Sequence, residues 1–229
     1  YTSVVNRTVA MSASIALARY ARKKNIKITI ATCHQDVLEW LEPDWSFDTK
    51  DSSLVVGRCL QRQPIRFGVL EGNTSYWGIF KHHHYLRQDI QRGAKVYLCY
   101  LDKELVGFSA SIYLPGRIPL YWPDELATGK LRGKWRGHRL VVLPDYQGLG
   151  LGVRFSDVVA KMFLDRGLRY FSKTAHPRMG EYRQSSKKWR ATATNLADRS
   201  KSKGNKTKWW KHMKLDTKRI CYSHEYIGE

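Results

Sequence analysis

One stretch limits the fold more than any other. The run His138-Arg139-Leu140-Val141-Val142-Leu143 reads as a strand and passes through Pro144-Asp145-Tyr146 into Gln147-Gly148-Leu149-Gly150-Leu151-Gly152. A helix pattern follows at once, with apolar residues at Phe155, Val158, Val159, Met162 and Phe163. A strand that turns through glycines into an amphipathic helix is a unit of a layered α/β protein. The glycines also leave consecutive amides bare at a helix N-terminus, a positive concavity that suits a pyrophosphate. The spacing is neither that of a P-loop, since no Gly-Lys-Ser/Thr follows, nor the G-x-G-x-x-G of a dinucleotide fold. The alternative is a glycine-rich turn with no ligand.

The remaining pattern supplies the rest of an α/β layer. Residues 8–23 read as a helix ending in basic side chains, 27–32 as a β-branched strand, and 35–41 as a short helix stopped before Pro43. Polar turn residues place a boundary between Asp48 and Gly72, giving units of 1–65 and 72–229. The second begins with a helix over 76–91, then a hairpin of strands 95–101 and 105–114 around Asp102-Lys103. Pro115, Pro119 and Pro123 make 115–133 a loop, and 168–175 is the strand after the glycine-turn helix.

Charge narrows the partners. The chain has 229 residues, with 40 Lys and Arg against 20 Asp and Glu, a formal charge of +20. Such a surface attracts polyanions from beyond contact range, nucleic acid first among them. Half of the surplus lies between Lys187 and Arg219, where twelve basic residues face two acidic ones. Within it Lys187, Lys188, Arg190, Lys206, Lys208 and Lys211 would neutralise phosphates, and Trp209 and Trp210 would stack on a displaced base. The rival reading is a solvated charge run with its tryptophans in the core. No apolar stretch is long enough for a membrane span and no signal peptide is visible, so a cytoplasmic protein is expected. The four cysteines are far apart and form no C-x-x-C pair, which favours reduced thiols over a zinc ribbon or disulfide scaffold.

The pattern Gln147-x-x-Gly150-x-Gly152 after the strand resembles the coenzyme A pyrophosphate loop of the GNAT acyltransferases, and the order helix, hairpin, strand, glycine turn, helix, strand over residues 72–186 matches that family. The resemblance implies a GNAT-like mixed sheet flanked by helices, with acetyl-CoA or another acyl-CoA as cofactor. It assigns Val141, Val142 and Leu143 to the pantetheine arm, and Gln147, Gly148, Leu149, Gly150, Leu151 and Gly152 to the pyrophosphate. Phe80 to Leu86 with its three histidines, His138 to Gly148, Thr174 to Met179 and Trp189-Arg190 are similar to a phage and bacterial GNAT subgroup. That subgroup is similar to Mom-type DNA-modifying proteins, and some members are attached to an ABC-type ATPase. The implied acceptor is a nucleic-acid amine. Tyr1 to Arg7 resembles the ATPase D-loop, and Ile28 to His34 its switch-histidine strand, while the Walker and signature segments do not occur. An α/β fragment of such an ATPase is therefore expected ahead of the transferase unit, with an ABC-type ATPase chain as a possible partner.

Acyl transfer to an amine needs a base for the amine and an acid for the leaving thiol. His176, ending the strand after the turn, is the preferred base, with His138 as its competitor and Tyr182 as the acid. His176 otherwise fixes the turn at Pro177. His82, His83 and His84 are adjacent, so their side chains diverge on a helix, and no metal site is expected. Two rivals remain: a DNA-binding accessory with a vestigial cleft that partners an ATPase, and a transferase acting on protein or small amines.

Overall fold

The computed structural model describes residues 4–57, 65–85, 89–115, 133–197 and 220–228. Helix α1 (Arg7–Lys24) starts where the Asn6 side chain accepts from the Val9 amide at 2.8 Å and stops at Asn25 in the left-handed region. Helix α2 (Val37–Leu41) packs on it. The strand expected over residues 27–32 does not form. Ile26 and Ile28 are exposed there, because no sheet edge lies alongside to pair with them. Instead β1 (Trp45–Asp48) and β2 (Ser53–Val56) make a separate antiparallel hairpin.

The main sheet starts at β3 (Gly68–Gly72). The helix expected over 76–91 breaks into short pieces, a 3-10 turn at Thr74–Tyr76, α3 (Trp77–Phe80) and a second 3-10 turn at Lys81–His83. His84 is already extended, and histidines in succession give a helix little to continue with. The hairpin forms as read, β4 (Lys95–Leu101) and β5 (Glu104–Tyr113), followed by β6 (Lys134–Val142), α4 (Leu151–Leu164) and β7 (Arg169–Thr174). Helix α5 (Pro177–Ser185) and strands β8 (Trp189–Ala191) and β9 (Tyr222–Tyr226) complete the described chain. The spatial order is β3-β4-β5-β6-β7-β9-β8, antiparallel except for β6 beside β7. This is the expected α/β class: one mixed sheet flanked by helices. Among the described residues no helix is long and apolar enough to cross a membrane.

Two apolar layers hold the sheet. On one face Phe155, Val159 and Phe163 of α4, all with no exposure, pack on Tyr97, Cys99, Val106 and Tyr170, and Ile15 of α1 joins them. On the other, Trp77 and Phe80 of α3 cover Val96, Leu98, Phe108 and Val141. Burying one such aromatic ring contributes roughly 1.5–3 kcal/mol. With both faces covered, a place inside the sheet where neighbouring strands part leaves backbone free for a ligand.

Candidate functional site

The sheet opens between β6 and β7. Their parallel register runs only through Lys134 with Arg169, Trp135 with Tyr170 and Arg136 with Phe171. Beyond Arg136, β6 stays paired with β5 on one side and has no β7 partner on the other. A wedge holds this opening: the Tyr170 hydroxyl reaches past Gly137 to Ser111 on β5, 3.1 Å away. Gly137 is glycine for that reason, since a Cβ there would sit 3.2 Å from the hydroxyl.

A β-bulge falls at the same point. Ala110 pairs with Arg139 and Ser111 with Gly137, so His138 is the extra residue. Its Nε2 is buried without a hydrogen-bond partner. Burial first, then the positive charges of Arg139, Arg136 and His84, hold its imidazole down at about 4, so it is neutral at physiological pH. Arg139, 7% exposed, donates from Nη1 to the His138 carbonyl at 3.0 Å, and its Nε has no partner. Across from this pair His84 stacks on Tyr85 and meets Trp77 edge-on, while His82 and His83 are exposed. Among the described residues no three His, Cys, Asp or Glu side chains are grouped to hold a metal ion.

From Val142 the chain enters the glycine turn. Gln147 donates from Nε2 to the Val142 carbonyl at 3.0 Å, fixing the strand's end against the turn. Gly148 and Gly150 take φ of +88° and +79°, conformations that side chains other than glycine's adopt only with strain. Gly150 is the N-cap of α4 and gives it no side-chain cap, and the first turn carries no acidic residue. The opening amides of α4 therefore have no side-chain acceptor among the described residues, and the helix dipole adds positive potential there. Leu149 and Leu151 point into the core, whereas a Cβ on Gly152 would have ordinary van der Waals room.

Helix α1 backs this turn. Ser12 Oγ donates to the Asp145 carbonyl at 2.6 Å, and Arg19 Nη1 donates to that of Leu149 at 2.8 Å. A Cβ on Gly148 would come within 3.3 Å of the Ala16 methyl. The glycines thus serve the close approach of α1 as well as any ligand, a packing relation with no signature in the spacing.

The other expected residues have roles of their own in the fold. His176 is exposed and caps α5, its Nδ1 accepting from the Met179 amide at 3.4 Å. Tyr182 donates its hydroxyl to Asp157, which also accepts from the Trp189 indole at 2.8 Å. Burial, with the Asp157 hydrogen bond and charge, raises the Tyr182 phenol above its ordinary value. Lys187 is exposed, and Arg190 donates to the buried Glu225 at 3.0 Å, alongside Arg169 at 2.5 Å. Lys188 lies half-buried before β8. Lys206, Lys208, Trp209, Trp210 and Lys211 lie outside the described residues.

No protein-family model matches the chain, and no curated protein matches it. Solved structures with a similar chain path include Ard1 from Thermoplasma volcanium, 8% identical with a TM-score of 0.43, aligned over 71% of this chain and 98% of that one. Naa50 from Arabidopsis thaliana, in complex with the bisubstrate analogue CoA-Ac-MVNAL, is 12% identical with a TM-score of 0.45, over 70% and 98%. An acetyltransferase from Bacillus subtilis in complex with CoA is 10% identical with a TM-score of 0.44, over 71% and 98%. At these identities the site's own residues carry the functional reading.

Proposed function

We propose that the protein is an acyl-CoA-dependent N-acyltransferase whose acceptor is an amine of nucleic acid. One observation carries the reading: β6 leaves β7 after Arg136 and runs, with no strand partner on that side, into a helix whose glycine-spaced opening amides have no capping side chain. A pyrophosphate fits such amides, and an extended amide chain fits such a strand edge. The Gly148 to Gly152 amides would hold the carrier's phosphates, with the backbone of Val141, Val142 and Leu143 beside its arm. When bound, acyl-CoA supplies the acyl group as a thioester.

His138 would move the proton. Its partnerless Nε2 sits in the bulge where the strands part, whereas the His176 ring is used as a helix cap. An imidazole held at about 4 is too weak a base to strip an ammonium such as lysine's. It suits an aromatic exocyclic amine, which arrives unprotonated and loses its proton only as the new bond forms. The same imidazolium gives the proton up readily, and the Tyr182 hydroxyl is already engaged by Asp157. The formal charge of +20 supports a polyanionic acceptor.

Incubation of the protein with acetyl-CoA and DNA oligonucleotides, followed by nucleoside mass spectrometry, tests this reading. A base carrying one acetyl group, lost in His138→Gln, is expected. Acetylation confined to protein lysines or polyamines would overturn the acceptor assignment.

A further inference from the structure

The bulge on β6 leaves two adjacent side chains with buried polar atoms that bond to nothing. These are His138 Nε2 and Arg139 Nε. His138 is accounted for as the proton acceptor of the proposed reaction, whereas Arg139 has no part in that step. A guanidinium 7% exposed is costly to bury unless an anion meets it.

Arg139 meets no carboxylate among the described residues. Its hydrogen bonds run from Nη1 alone, to the His138 carbonyl and towards the His138 ring, so the Nε–Nη2 edge has no partner. That edge is one of those with which arginine grips an oxyanion in two parallel hydrogen bonds. Arg136 adds positive charge nearby, since both Arg139 and Arg136 oppose protonation of the neighbouring His138. Ion pairs elsewhere at the surface, such as Lys81 with Asp89 and Arg166 with Glu71, do not include it.

We propose that Arg139 is the specificity residue of the acceptor site, gripping a phosphate of the nucleotide whose amine is acylated. The inference rests on the transferase reading for the word acceptor, while the phosphate site itself does not depend on it. Phosphate suits the position better than a carboxylate. Each phosphodiester of a nucleic acid brings one negative charge and two unesterified oxygens for the guanidinium's two-point grip, and it arrives as part of a polyanion that the formal charge of +20 attracts. Held there, the nucleotide is fixed at the residue next to the proton acceptor, which converts a phosphate contact into orientation of the reacting amine. Lysine would keep the charge and lose the two-point grip.

Calorimetric titration of the full chain with nucleoside 5′-monophosphates, the matching nucleosides and inorganic phosphate tests the proposal, with CoA titrated in parallel. A monophosphate is expected to bind at least tenfold more tightly than its nucleoside and than inorganic phosphate. Arg139→Gln should lose that tenfold and Arg139→Lys most of it, both keeping the CoA affinity and melting temperature of the parent. Nucleosides binding as tightly as monophosphates, or Arg139→Gln binding the monophosphate within twofold of the parent, would overturn the proposal. Inorganic phosphate binding as tightly as the nucleotide would assign the site to a free anion and likewise remove the acceptor role. If Arg139→Gln unfolds, Arg139→Lys decides alone. Failure of the parent to bind CoA would count against the transferase reading and leave the phosphate result standing.

Discussion

Replacing Gly137 by alanine tests the wedge that opens the sheet. In most strands this change stabilises, by roughly 0.5–1 kcal/mol, because alanine loses less backbone freedom on folding. Here the new Cβ would lie 3.2 Å from the Tyr170 hydroxyl, closer than a methyl group and an oxygen ordinarily pack. The hydroxyl is held on its other side by Ser111 Oγ at 3.1 Å, and Tyr170 and Ser111 are 3% and 0% exposed. Displacing it strands two buried polar groups, an effect of about 1–3 kcal/mol. Gly137→Ala should therefore destabilise by about 1–2 kcal/mol, which for a chain of this size lowers Tm by roughly 2–8 °C. Tyr170→Phe alone leaves Ser111 without its partner and should destabilise by about 1–2 kcal/mol. The double variant should fall short of the sum by about 1 kcal/mol, because phenylalanine has no oxygen for the alanine to strike. Urea unfolding of all four proteins reads these values. A stabilised Gly137→Ala, or strict additivity of the pair, would refute the wedge.

Two further outcomes follow from the same structure. The folded chain keeps His138 neutral down to about 4, whereas the unfolded chain takes up that proton near 6.5. Protons thus favour the unfolded state between those values, so this contribution is complete above pH 6.5 and is lost as pH falls toward 4. His224, lowered by burial and then by Arg183, acts in the same direction. The urea midpoint should drop between pH 7 and pH 5, less steeply in His138→Gln, and an equal or higher midpoint at pH 5 would contradict this. Gly180→Ala drives a methyl into the Tyr222 ring, so α5 must separate from β9. The expected loss is at least about 2 kcal/mol, partly restored by Tyr222→Ala, and a neutral Gly180→Ala in thermal unfolding would contradict the packing.

Much of this arrangement was legible in the sequence where one local rule sufficed. Residues 138–166 declared a strand, a glycine turn and a helix, and the structure has β6, begun four residues earlier, the turn, and α4, shifted by two residues. The hairpin at Asp102 and Lys103 was equally local, and both residues take the positive φ such a turn needs. What escaped depends on residues distant in the chain. The bulge at His138 exists only against β5, and nothing in His138-Arg139-Leu140 marks one residue as extra. Gly148 reads as a ligand glycine, yet Ala16 also requires it. Residues 222–226 hold buried His224 and Glu225, a pattern that hides a strand until Arg169 and Arg190 are seen paired with that glutamate. Arg139 stands directly before Leu140-Val141-Val142 in β6, and that adjacency is the one local sign of its burial.

Calorimetric titration of CoA into the parent and into Gly152→Glu tests the proposed carrier site most directly. Gly152 stands in the first turn of α4, and the nearest atoms to its Cβ position are 3.8 Å away, so a Cβ there meets only ordinary van der Waals contact. A carboxylate there should raise stability by about 0.3–1 kcal/mol through the helix dipole. The same charge opposes a pyrophosphate at those amides, so the parent should bind CoA and the variant, no less stable, should bind at least tenfold more weakly. Equal affinity in the two proteins, or no binding by the parent at millimolar CoA, would contradict the acyl-carrier site.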